Sequence, residues 1–75
     1  MAVYILTRKC FYMEIHCCTI LGAFSSFEKA ETFAVNYCEK EGIHPQPFQI
    51  GEDGWEMIFS TFAKEGVFIH KYKVE

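Results

Sequence analysis

The stretch Leu21-Gly22-Ala23-Phe24-Ser25-Ser26-Phe27-Glu28-Lys29-Ala30 constrains this chain more than any other, because it leads an extended segment straight into a helix start. Ser25 and Glu28 have the spacing of a capping box. In that arrangement the hydroxyl accepts from the free amide of Glu28 and the carboxylate reaches back to the amide of Ser25. An acid in the first turn also sits at the positive end of the helix dipole. Phe27, Ala30, Phe33, Ala34, Tyr37 and Cys38 then recur at three- and four-residue steps, which makes one apolar stripe. Glu28, Lys29, Glu31, Thr32, Asn36, Glu39 and Lys40 occupy most of the remaining positions. Gly42 suits the left-handed conformation at a helix end, and His44-Pro45 opposes continuation. The pattern predicts one helix over residues 26–41.

The rest of the chain reads as strands. Ala2 to Thr7 is β-branched and aromatic, with Arg8-Lys9 marking its end. Met13 to Phe24 reads as a second long strand, Pro47 to Ile50 as a third, Trp55 to Phe62 as a fourth and Val67 to Val74 as a fifth. With 75 residues there is room for one domain, residues 1–75. A chain of this size buries only about 60% of its unfolded surface, so a high aromatic content matters to its core. The expected class is α+β: a single helix packed on one face of an antiparallel sheet, in the order β-β-α-β-β-β.

Asp53-Gly54 suits the turn of a hairpin. A two-residue loop there pairs Ile50 with Met57 and Phe48 with Phe59. A turn of two or four residues around Lys64-Glu65-Gly66 pairs odd positions with even ones. Together these place Phe48, Ile50, Trp55, Met57, Phe59, Phe68, Tyr72 and Val74 on the face under the helix. The opposite face then carries an apolar cluster of Ile58, Phe62, Val67 and Ile69, which either is covered by the N-terminal strands or a loop, or marks a surface for a second copy or a foreign partner. A slip of one residue exchanges the two faces.

Several chemistries are weighed by residue type and spacing. Cys10, His16, Cys17, Cys18, Cys38, His44 and His70 include the ligand types that zinc uses, but no paired C-x-x-C spacing occurs. Adjacent Cys17 and Cys18 point to opposite faces of a strand. Cys38 lies on the apolar helix stripe and behaves as a small hydrophobe. A cysteine nucleophile with His16 as base lacks an oxyanion site and an orienting group. His70 falls on the face assigned to the core, as a hydrogen-bonded histidine at the sheet edge. The reading is therefore a non-enzyme with no catalytic residues, no cofactor and no metal. A net charge of −3 disfavours direct nucleic-acid binding. No stretch approaches the ~20 apolar residues of a membrane span. The first residues do not have the layout of a signal peptide, so the expected location is a reducing cytoplasm with free thiols.

The run Leu21 to Glu31, followed later by Gly66-Val67-Phe68-Ile69-His70-Lys71-Tyr72-Lys73-Val74, resembles a group of small uncharacterised α+β domains of bacterial and phage genomes. In that group a strand ending in I-G-x-Y/F-S-S starts a helix and an F-x-I-x-x-Y strand closes the sheet. The segment Ile43 to Ala63 departs from the pattern by adding a hairpin. The resemblance implies a phage or mobile-element accessory protein and carries no activity onto these residues. The leading expectation is a non-enzymatic protein-binding factor that occupies a host protein. The alternative is a structural homodimer, formed through the Ile58/Phe62/Val67/Ile69 cluster or an edge strand. The third is a thiol- or metal-dependent enzyme.

Overall fold

The computed structural model describes residues 2–12, 15–51, 54–60 and 65–73. Its elements run β1 (Ala2–Tyr12), β2 (Ile15–Phe24), α1 (Phe27–Lys40), β3 (Gln49–Gly51), β4 (Gly54–Ser60) and β5 (Glu65–Lys73). The strands form one five-stranded sheet in the order β2-β1-β5-β4-β3. Every neighbouring pair is antiparallel. One helix and an antiparallel sheet make the fold α+β, as the patterning predicts.

The helix starts one residue later than the capping box implies. Ser26, not Ser25, is the N-cap, and its hydroxyl accepts from the amide of Lys29 at 3.3 Å. Ser25 instead accepts from the Lys29 ammonium at 3.2 Å. Position N3 is therefore a lysine, and the reciprocal carboxylate bond of a capping box is not built. The other end follows expectation. Gly42 takes φ 75°, its amide donates to the Glu39 carbonyl at 3.2 Å, and the Ile43 amide donates to the Cys38 carbonyl at 2.7 Å. These two bonds are the Schellman closure, and they use a backbone angle that glycine adopts without strain.

Ala30, Ala34 and Cys38 are the helix residues fully removed from solvent. They recur at every fourth position, so small side chains form the ridge that meets the sheet. Beneath them lie Leu6, Met57, Val67 and Ile69, all at 0–1% exposure. The Cys38 thiol lies 3.9 Å from the Met57 sulfur. Phe27 extends the core sideways, with its ring centroid 4.7 Å from that of Trp55 and 6.1 Å from that of Phe48.

Strand register accounts for the residues at the core, and it corrects two expectations. Ile50 pairs with Trp55 rather than with Met57, because the first hairpin turns one residue earlier and sets Gly51 opposite Gly54. In the second hairpin Ser60 pairs with Glu65, an even position with an odd one, as a four-residue connection demands. A bulge between Ile58 and Ser60 then changes the parity, so that Met57 faces Val67 and Trp55 faces Ile69. One extra residue in a strand sends every later side chain to the other face. Val67 and Ile69 are therefore core, while Phe68 and Tyr72 turn away from it. Val74, also assigned to the core face, lies outside the described residues, and Ile50 is 87% exposed.

β1 does not end at Arg8-Lys9. It continues to Tyr12, with Cys10, Phe11 and Tyr12 paired to Cys17, His16 and Ile15 of β2. The two cations fit within the strand because they alternate: Arg8 shares the face of Leu6, and Lys9 shares the opposite face.

Candidate binding surface

Two groups of polar side chains stand out, one on each face of the sheet. On the helix side Arg8 reaches past the edge of the core. Its guanidinium donates to the Tyr37 hydroxyl at 2.7 Å and pairs with the Glu65 carboxylate. It also lies 5.7 Å from the ring centroids of both Tyr37 and Phe59. The bond to Glu65 first, and that to Tyr37 second, raise the Arg8 pKa above its ordinary value. This group ties β1, α1 and β5 together. It is a clamp at the margin of the core, with its aliphatic stem on apolar surface and its head group partly wet.

The other face is built by the residues alternating with the core set: Val3, Ile5, Thr7 and Lys9 of β1, with Phe68, His70 and Tyr72 of β5. Ile20 of β2 lies beside Thr7, and Glu56 of β4 lies beside Phe68. Tyr72 is 55% exposed and Ile20 70% exposed. Val3, Ile5 and Phe68 are half-buried. Thr7 is nearly covered at 5% exposure, and its hydroxyl has no hydrogen-bond partner among the described residues.

A polar centre breaks this apolar field. The Lys9 ammonium lies 3.3 Å from His70 Nε2 and 5.2 Å from the Phe68 ring centroid. The His70 ring packs at 6.4 Å from the ring of Tyr72. Lys9, Glu56, Phe68 and His70, with Gly51 and Gly54, line a shallow hollow of about 380 Å³. Gly54 has φ 142°, and a β-carbon there would strike the carbonyl of Ile69, so the strands approach closely at the floor of the hollow. A cation, an imidazole and a carboxylate over aromatic carbon can orient a polar group while the apolar rim supplies contact area.

The four residues proposed for an interface part company in the structure. Val67 and Ile69 have 0% exposure and belong to the core, so the bulge removes them from any surface. Ile58 is half-buried and sits opposite Gly66 on the face of Phe68. Phe62 lies outside the described residues. The residues that sequence reasoning missed are Val3, Ile5, Ile20, Phe68 and Tyr72. The unbroken apolar run Ala2 to Leu6 was the available signal, since successive side chains of a strand point to opposite faces and such a run makes both faces apolar.

Cys38 is buried, and that burial pushes its thiol pKa up. Cys18 is exposed on β2. Among the described residues no three His, Cys, Asp or Glu side chains gather to hold a metal ion. Among the same residues no helix is long and apolar enough to cross a membrane.

A family model for a domain of unknown function (DUF7336) matches residues 1–59. No curated protein and no solved structure matches the chain. The matched stretch stops before β5, although β5 lies between β1 and β4 in the sheet.

Proposed function

This chain belongs to the DUF7336 family of domains of unknown function, and we propose that it is a non-enzymatic protein-binding domain. The helix takes one face of the sheet, and the partner docks on the other. The observation that carries this reading is the pair of large apolar side chains left in solvent on that face, Ile20 at 70% and Tyr72 at 55% exposure, beside half-buried Val3, Ile5, Ile58 and Phe68. Large apolar side chains left in solvent on one sheet face are a feature that partner binding accounts for. Lys9, His70 and Glu56 at its centre give direction to an otherwise apolar contact. The matching feature of a partner is an apolar patch with an acidic group placed to meet Lys9.

In the accessory-factor form of this reading the partner is a host protein. A photo-crosslinking amino acid at Tyr72, in cells of the source organism, tests it. The same probe at Lys40, an exposed position near the end of the helix, is the control. A discrete protein adduct from position 72 that disappears with Ile5→Asp supports the reading and identifies the partner. An adduct from position 40 alone, or none from either position, refutes it.

A further inference from the structure

We propose that two copies of this chain join antiparallel along β2, turning two five-stranded sheets into one continuous sheet. The two outer strands of the sheet are unlike each other. β3 has three residues, and a short strand offers few unpaired backbone groups. β2 has ten, Ile15-His16-Cys17-Cys18-Thr19-Ile20-Leu21-Gly22-Ala23-Phe24. It contains no Asp, Glu, Lys, Arg or Pro. Edge strands of stable monomers are usually defended by charge, proline, shortness or distortion. Here the only such device is a bulge, which falls opposite the Leu6–Thr7 step and leaves Ile15 to Ile20 regularly paired on their inner side. The outer side of that segment is a row of backbone donors and acceptors, and what satisfies such a row is another extended chain.

A second copy fits this edge on three counts. An antiparallel twofold sets a strand against itself, and a segment without charge brings no like charges to the seam. Ile15, Thr19 and Ile20 are β-branched, which suits them to a central rather than an edge position. The joined sheet is also closed in the sense that matters for assembly, because among the described residues its remaining outer strands are the two short copies of β3. A twofold centred on Cys17 or Cys18 keeps the pairing within the regular segment. It places both helices on the same side of the sheet.

This inference concerns the edge and not the face of Tyr72, so the two are separable. The test is the solution mass of the full chain, by sedimentation equilibrium from micromolar to millimolar concentration, combined with amide hydrogen exchange. The expected mass is twice 8.7 kDa. Exchange protection of amides within Ile15 to Ile20 should rise with concentration. Thr19→Glu places an acid beside Arg8 within the monomer, which favours the fold, and charges the seam, which opposes pairing. It should weaken self-association about tenfold, while Tyr72→Lys leaves it unchanged. Thr19→Lys, which charges the same seam and stays off the face of Tyr72, serves the same purpose if Thr19→Glu does not fold. A single-chain mass throughout the range overturns the proposal. So does a dimer that Tyr72→Lys dissociates and Thr19→Glu does not, or concentration-dependent protection that appears elsewhere than β2.

Discussion

Ile69→Ala and Tyr72→Ala discriminate between the two possible faces of β5. Ile69 is fully buried, paired with Leu6 on one side and Trp55 on the other. Truncation to alanine removes three carbons, a transfer loss of about 2.4 kcal/mol at ~0.8 kcal/mol for each. Incomplete collapse of the site under the helix adds about 1 kcal/mol. The expected loss is about 3.5 kcal/mol from a total of order 7 kcal/mol, taking roughly 0.1 kcal/mol per residue. Tyr72 is 55% exposed, so its truncation should cost about 1 kcal/mol or less. Urea unfolding at one fixed protein concentration reads both. With a slope of about 1 kcal/mol per molar, the midpoint should fall by roughly 3 M for Ile69→Ala and by 1 M or less for Tyr72→Ala. The reverse ranking would refute the bulged register, because a second hairpin without the bulge places Tyr72 in the core and Ile69 outside it.

Three further outcomes are expected. Ser26→Ala should lower stability by about 1 kcal/mol, whereas Ser25→Ala, which removes only a bond to an exposed lysine, should change it by no more than about 0.5 kcal/mol, both by thermal melting. Gly54→Ala should destabilise by about 2 kcal/mol or more, since the new β-carbon combines an unfavourable positive φ with a collision against the Ile69 carbonyl; a neutral result would show that the strands can separate there. Burial raises the Cys38 pKa, so the thiol contribution is fully present below the unfolded pKa and is lost as pH rises toward the folded one. Stability should fall with a slope of at most about 1.4 kcal/mol per pH unit above about pH 8.5. Cys38→Ala should remove that component in denaturant titrations across pH 7 to 10.

The helix was legible because its signals are local. Ala30, Ala34 and Cys38 lie on the predicted stripe, and Gly42 closes the end as its position implies. The one-residue error at Ser25 reflects two serines of equal capping ability. Which of them caps depends on where Phe24 leaves the sheet, a tertiary fact. The strands were legible as strands but not in register. Phe59 is the reason. It stands in the bulge between Ile58 and Ser60, packs against the core and lies beside the Arg8 guanidinium. Nothing in the alternation of Trp55 to Phe62 distinguishes such a residue from its neighbours. Yet it decides whether Val67 and Ile69, or Phe68 and Tyr72, meet the helix. The β5 half of the expected interface, Val67 and Ile69, moved to the core with it, while Ile58 kept the outer face. Arg8-Lys9 misled for a different reason: two adjacent cations look like a strand terminus when read for polarity, but one serves each face of a strand that continues.

The place of β5 in the sheet bears on the order in which the molecule can assemble. The hairpin of β1 and β2 and the helix that follows are contiguous in sequence and can form soon after they are made. β4 has no strand to dock on except β3 until β5 exists, and Leu6 lacks the flanking strand that completes its surroundings. Closing the sheet joins residues such as Lys9 and His70, 61 positions apart. Contacts of that separation slow folding, because the chain loses loop entropy before the new strand contributes any burial. During synthesis the segment up to Ser60 therefore exists as two unconnected pieces of sheet, with the inner edge of β1 open. The family match, which stops at residue 59, does not reach the strand that fuses them. A fragment cut there is expected to expose Leu6, Met57 and the helix ridge together, and to aggregate where the longer chain folds.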